Sequence, residues 1–353
     1  MHCGLFQRAA KDNEAFIKGP NLKGGQMSKL VTIYGGSGFV GRYIAQRMAK
    51  EGWRVRVATR RPNDALFVKS YGVVGQVEPV FCNIRDDASV RAVMLGADAA
   101  VNCVGTFDKG GRNSFEAVQN VGAGRIARLA AELGVGTLVH ISAIGADAGS
   151  DSLYAQSKAA GEAAVLAAFP RAVILRPSVI FGPEDQFFNR FAGMSRLGPI
   201  LPVVGAATRF QPVYVDDVAQ AAVAGVLGHA QGVYELGGPD AASFRDLMTR
   251  MLDVIQRKRL VLNIPFIGAR VMAFVFDTLQ ALTLGLVKNG MITADQVRSL
   301  RRDNVVSPGA RGLADLGIAP TSMEAVLPEY LWRYRPSGQY AAIKGSAKNL
   351  RKS

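Results

Sequence analysis

Histidine and cysteine are scarce, and no two of them stand at metal-ligand spacing. The chain has only His2, His140 and His229, and Cys3, Cys82 and Cys103, so no metal is expected. An odd number of thiols, two of them inside apolar runs, argues against a disulfide framework and for a reducing compartment. Acid is also short. With 28 Asp and Glu against 42 Lys and Arg, the chain carries +14. That charge favours anionic partners without choosing among a phosphorylated cofactor, lipid headgroups and an acidic protein. No basic stripe interleaved with aromatics is present, so nucleic acid is not an expected partner. Long apolar runs are missing as well. The longest candidate, residues 260–291, is broken by Arg270, Asp277 and Lys288, and its uncharged pieces fall far short of the roughly 20 residues that cross a bilayer. The first 26 residues lack the apolar core of a secretory signal. They read as a flexible arm, with Met27 open as a second translation start.

What is present is an alternation. Short apolar runs at 30–34, 54–59, 77–83, 99–104, 137–142 and 172–180 predict strands. Helical periods lie between them at 39–51, 88–95, 114–134 and 152–169. Strand alternating with helix at this spacing means βαβ units, a parallel sheet and helices on both faces. The fold class is therefore α/β, a Rossmann-type doubly wound parallel sheet. After about residue 180 the rhythm changes. Helices are expected at 186–197, from Asp216 and at 243–257, with a loop at 198–212 and a late strand at 233–236. Residues 260–302 read as helical throughout. The expected organisation is an arm (1–28), a dinucleotide-binding domain (29–182), a smaller α/β cap with a helical C-terminal extension and docking region (183–340), and a basic tail (341–353).

The strongest local signal is Gly35-Gly36-Ser37-Gly38-Phe39-Val40-Gly41, which follows the first strand and opens the first helix. Gly35 permits the tight turn, Gly38 lets a diphosphate approach the backbone, and Gly41 lets helix pack on strand. Free N–H groups at the helix start then face the diphosphate. The second strand ends in Thr59-Arg60-Arg61, and no acid occurs from Gly52 to Arg61. Arginine there pairs with a 2′-phosphate, where an acid would accept from a 2′-hydroxyl. The expected cofactor is NADPH.

Tyr154-Ala155-Gln156-Ser157-Lys158 puts a phenol and an ammonium on one helix face. An adjacent ammonium should lower the phenol pKa and suit it to proton exchange with a carbonyl or alcohol. A cofactor-holding pair without chemistry is the competing possibility. With the glycine turn and the basic second strand, YxxxK makes the chain resemble the extended short-chain dehydrogenase/reductase superfamily. The resemblance implies that Asn83 and Ile84 flank the adenine, that Cys103, Val104 and Gly105 line the ribose, and that Pro177, Ser178 and Val179 pass the nicotinamide. It also exposes a departure. Catalytic members carry Ser or Thr after the fifth strand, and in His140-Ile141-Ser142-Ala143 the alanine falls at that place. A slip of one residue would restore Ser142.

Further segments narrow the resemblance: 175–185 (LRPSVIFGPED), 187–191 (FFNRF), 292–297 (ITADQV), 303–306 (DNVV), 316–318 (LGI) and 327–331 (LPEYL). Together they resemble the NADPH-binding accessory subunit family of respiratory complex I. That implies nucleotide held for structure or assembly, and docking on the hydrophilic arm near the membrane. The expected place is peripheral, on the cytoplasmic face of a bacterial inner membrane. Apolar residues from Phe266 to Leu286 are numerous enough to form a contact surface, and intradomain packing is the alternative. The basic tail could add contact with anionic lipid. An active NADPH-dependent reductase, epimerase or dehydratase, or a free redox sensor, remains open at this point.

Overall fold

The computed structural model describes residues 28–106, 111–270, 294–336 and 338. The arm, most of the apolar segment after Arg270 and the basic tail lie outside the described residues.

Seven parallel strands form the main sheet: β1 (Leu30–Tyr34), β2 (Arg54–Thr59), β3 (Val77–Phe81), β4 (Ala99–Asn102), β5 (Thr137–Ile141), β6 (Val173–Pro177) and a late strand, β11 (Gly232–Leu236). Their order is β3-β2-β1-β4-β5-β6-β11. β1 is buried at every position, which is why it reads as an unbroken apolar run. The order reverses between β1 and β4. A crevice opens there at the carboxyl ends of the strands, where ligands of doubly wound sheets bind. The helices are α1 (Phe39–Lys50), α2 (Asp87–Met94), α3 (Val121–Glu132, after a π turn over Glu116–Asn120) and α4 (Leu153–Ala168).

α3 and α4 approach closely through small residues. A Cβ on Gly161 would stand 2.2 Å from the Gln119 carbonyl oxygen, and one on Gly124 would stand 3.1 Å from the Ala164 Cβ. This contact brings α4, and with it Tyr154 and Lys158, against the wall formed by residues 115–123.

Beyond β6 a second apolar core forms around Phe181, Phe188, Phe210, Phe244, Met251 and Tyr330. The rings of Phe187 and Phe244 stack at 5.5 Å. Small strands brace it: β7 (Ile180–Phe181) with β10 (Val213–Tyr214), β9 (Arg209–Phe210) with β12 (Ala242–Ser243), and β8 (Ile200–Val204) with β13 (Leu260–Ile264). The helices here are α5 (Phe188–Met194), α6 (Val215–Val226), α7 (Phe244–Val254), α8 (Ala294–Ser299) and α9 (Met323–Leu331).

Two sequence expectations are corrected. The span 198–212 is not only loop, since β8 and β9 lie within it. Residues 260–264 are not helical: β13 pairs in parallel with β8, Leu260 opposite Ile200 and Ile264 opposite Val204. A short apolar run carries no period that separates strand from buried helix, and the partner strand lies sixty residues upstream. Helix resumes at residues 266–270. Among the described residues, no helix is long and apolar enough to cross a membrane.

Gly161→Ala tests the α3–α4 contact. Helix propensity alone would favour alanine by about 1 kcal/mol. A Cβ at 2.2 Å from a backbone carbonyl outweighs that gain, because neither helix can move without disturbing the sheet. Urea unfolding should give a net loss of about 1–3 kcal/mol, and an unchanged or raised midpoint would contradict the packing.

Candidate nucleotide-binding site

The glycine turn is the first wall of the cleft. Gly35 adopts φ +74°, a conformation that side chains with a Cβ rarely take. Its N–H donates to the Ala58 carbonyl at 3.0 Å, fastening the turn to β2. A Cβ on Gly41 would sit 2.4 Å from the Gly35 oxygen, so only glycine lets α1 start this close to β1. The N-cap of α1, Gly38, offers no side-chain hydrogen bond, and no acid stands in the first turn. The helix therefore keeps unneutralised N–H groups at its start, which suits an anion. Arg42 steadies the turn by donating to the carbonyls of Ser37 (3.2 Å) and Gly38 (3.3 Å).

A cleft of about 270 Å³ opens beside this turn. It is lined by Gly35, Ser37, Gly38, Arg60, Asn83, Ile84, Cys103, Val104 and Gly105, and also by Ala58, Thr59, Cys82, Arg85, Thr106, Asn113 and Val118. The tips of β1 to β4 thus bring together most of the residues singled out in the sequence. Ser37 and Thr59 join across the floor, with their hydroxyl oxygens 3.1 Å apart. The uncapped helix start, the glycine turn and a guanidinium at the lip fit the diphosphate and adenosine of a dinucleotide. Phe39, Val40 and Gly41 stand behind the turn in α1 and do not line this cleft. Arg61 also lies outside it, exposed and 3.8 Å from Asp64.

Arg85 was not foreseen. It lines the cleft at the tip of β3, and its backbone N–H and Nε both donate to Asn83 Oδ1 at 3.2 Å. Gln119 was missed as well. Its amide donates to the Thr106 carbonyl at 2.6 Å, and its oxygen accepts from Ser157 at 2.8 Å, tying α4 to the cleft wall. Polar residues inside a helical stretch give no sign in the sequence of such bonds.

Tyr154 and Lys158 stand on α4 and do not line this cleft. Lys158 is buried and donates to the Ile141 carbonyl at 3.2 Å. A Cβ on Gly105 would lie 3.9 Å from its Nζ, so Lys158 adjoins the cleft wall at Gly105. The Tyr154 ring packs edge-on against Phe115 at 5.9 Å, with the ammonium 5.9 Å from its centroid. The expected lowering of the Tyr154 pKa is corrected. Enclosure by protein pushes the phenol up to about 12. The same desolvation pulls Lys158 down to about 8, against the opposing pull of Glu162 and then Cys103. Burial disfavours the charged form of each, and Lys158 is not among the groups that shift Tyr154.

Ser142 has other work. Its hydroxyl donates to Glu162 Oε1 at 2.5 Å, and Glu162 is held by both arms of Arg176, at 2.9 and 2.6 Å. This buried network ties β5, α4 and β6 together. The side chain of Ser142 is thus committed beneath the site, and Ala143, partly exposed, follows it at the strand tip. Pro177 is buried at the tip of β6, and Val179 follows it. The Val179 N–H donates to Asn304 Oδ1 at 3.1 Å, and Ser178 Oγ lies 2.6 Å from the same oxygen. The segments near 178 and 304, far apart in sequence, meet here.

Under the cleft, His140 is 2% exposed, with Nδ1 3.1 Å from the Asn102 amide nitrogen. Burial, and then the Lys158 charge, push its pKa down to about 3.

A family profile described as the NAD dependent epimerase/dehydratase family matches residues 31–237. The chain is 35% identical over 316 residues to NADH dehydrogenase [ubiquinone] 1 alpha subcomplex subunit 9, mitochondrial, of Arabidopsis thaliana, covering 88% of this chain and 79% of that protein. The mouse protein of the same description is 31% identical over 325 residues, covering 90% and 84%. A ceramide reductase of Caulobacter vibrioides is 30% identical over 256 residues, covering 72% of this chain and 79% of that one. Among solved structures, dTDP-glucose 4,6-dehydratase DesIV of Streptomyces venezuelae superposes with TM-score 0.65 at 20% identity, covering 90% and 98%. UDP-glucose 4-epimerase of Thermus thermophilus gives 0.62 at 18%, covering 87% and 99%. These two likenesses concern the fold.

His140 makes a pH prediction. Its folded pKa lies below its ordinary value of 6.5. Between about 6.5 and 3, the unfolded chain binds a proton that the folded chain does not. Stability is then fully present above about 6.5 and falls as pH drops through that window. Relative to wild type, His140→Gln should lose about 2 kcal/mol less between about pH 7.5 and 5, measured by urea unfolding. Parallel pH curves would mean that His140 is protonated in the fold.

Proposed function

The chain belongs to the NAD dependent epimerase/dehydratase family, in the branch of the complex I alpha subcomplex subunit 9 proteins, and on that premise we propose that it is a nucleotide-holding accessory subunit of a membrane-associated NADH:ubiquinone oxidoreductase. It keeps NADPH bound for structure or assembly rather than turnover. The observation that carries this reading is Ser142, whose hydroxyl is spent on Glu162 and leaves Ala143 at the strand tip. A carbonyl beside Tyr154 then lacks its second hydrogen-bond donor, and the phenol itself is hard to ionise. Clamp residues remain while the groups that would drive hydride exchange are weakened.

Arg60 at the lip supports NADPH over NADH, since a guanidinium pairs with a 2′-phosphate. Arg85, beyond the neighbouring strand β3, adds a second positive charge to the cleft lining. Residues 183–340, apart from β11 in the main sheet, serve as the cap and docking region in this proposal. Their exposed Ile200, Leu260, Leu262 and Ile267 support contact with other subunits of the hydrophilic arm. The net charge of +14 suits additional contact with anionic lipid. We place the subunit on the cytoplasmic face of a bacterial inner membrane. The free thiols of Cys82 and Cys103 accord with a reducing compartment.

A second reading, an active NADPH-dependent reductase, epimerase or dehydratase, is favoured by one observation: Tyr154 and Lys158 are both kept on α4. Two experiments separate the readings. Chain purified natively and then denatured should release NADPH. Arg60→Ala should weaken NADPH about tenfold and leave NADH unchanged. Equal affinity for both nucleotides in wild type would defeat the NADPH assignment. Tyr154→Phe should lower electron transfer through the isolated complex by less than about twofold. Loss of activity from that change alone would favour the enzyme.

A further inference from the structure

Residues 294–306 hold two segments beyond the sheet: the connection from β5 into α4, and the residues just after β6. Asp295, on α8, is 3% exposed. Its carboxylate accepts from the Leu153 N–H at 2.8 Å, the Tyr154 N–H at 3.1 Å and the Ser152 hydroxyl at 3.0 Å. Those two N–H groups belong to the first turn of α4, which has no acid of its own. The local cap is long by comparison, with Ser152 Oγ accepting from the Ala155 N–H at 3.4 Å. A carboxylate 143 residues downstream of Ser152 is therefore the main N-terminal cap of the helix that carries Tyr154 and Lys158. Its charge also complements the positive end of that helix.

The same segment continues the hold. Arg302 pairs with Asp147 at 2.9 Å and lies 3.7 Å from Asp151, in the loop between β5 and α4. Asn304 accepts from the Val179 N–H just beyond β6. Hydrogen bonds to an ionised carboxylate are directional and about twice as strong as neutral ones. Two of them fix both the axis and the rotation of the first turn, and the rotation decides where the Tyr154 ring points.

We infer that Asp295 is a positioning residue for the nicotinamide-side half of the nucleotide site, acting by setting the first turn of α4. The inference rests on the nucleotide-holding reading and deepens it. It makes the C-terminal segment a determinant of how firmly that half is gripped. Linkage then runs both ways: restraining residues 294–306 restrains Tyr154, and a bound nucleotide restrains residues 294–306.

The test compares two ligands on the full chain. NADPH spans both ends of the cleft, whereas 2′,5′-ADP carries the adenosine and its extra phosphate but no nicotinamide. Asp295→Ala should weaken NADPH about tenfold and change 2′,5′-ADP by less than about twofold. Fluorescence of bound nicotinamide should move toward that of free NADPH. Asp295→Asn, which keeps an acceptor oxygen, should recover part of the loss. Ser152→Ala, a milder change, should shift NADPH in the same direction by a few-fold. Equal losses for both ligands would make Asp295 a general stabiliser and overturn the assignment, as would unchanged NADPH affinity. Wild-type chain that takes up neither ligand would instead overturn the cofactor reading on which the assignment stands.

Discussion

The first helix starts so close to the first strand that only glycine fits between them. Everything at the nucleotide end depends on that approach. With Gly41 pressed on the Gly35 carbonyl, the N–H groups of α1 emerge at the reversal point of the sheet, uncapped and facing the cleft. The strand tips carrying Arg60, Asn83 and Cys103 are set around that point by the parallel register of β1 with β2 and β4, and of β2 with β3. A side chain at Gly41 would push α1 outward. The anion site and the crossing of α1 with α6 would both be displaced.

At the other end, the balance between charge and burial decides the chemistry. A Tyr–Lys pair on one helix face suggests an activated phenol. In the fold, desolvation dominates at both groups, raising Tyr154 and lowering Lys158. Beneath them the buried Glu162 pairs with the half-buried Arg176 and takes the Ser142 hydroxyl as an additional donor. A buried carboxylate needs such donors to offset its own desolvation. Using Ser142 there strengthens the joint between β5, α4 and β6 at the expense of the hydroxyl that a carbonyl would need.

The C-terminal residues are part of this architecture rather than an appendage. Asp295, Arg302 and Asn304 fill hydrogen-bonding positions that the nucleotide-binding half leaves open, at the start of α4 and at the tips of β5 and β6. Under the proposed function, a neighbouring subunit that held this segment would also restrain the start of α4.

Period and turn chemistry determined the doubly wound sheet, its glycine turn and the position of the Tyr–Lys helix. These depend on residues close in the chain. β1 spans the five residues its apolar run delimits, and YxxxK lies on a helix as its spacing requires. The same local information misread residues 260–264, because a five-residue apolar run becomes strand or helix according to what lies beside it, here β8. Only the tertiary structure decided that Arg60 rather than Arg61 lines the cleft, that Arg85 joins it, that Gln119 ties α4 to its wall, and that Ser142 turns to Glu162. It also brought Asp295 to the helix start of Tyr154. Those outcomes depend on solvent exclusion and on contacts between segments far apart in the chain, and no spacing of residue types encodes either.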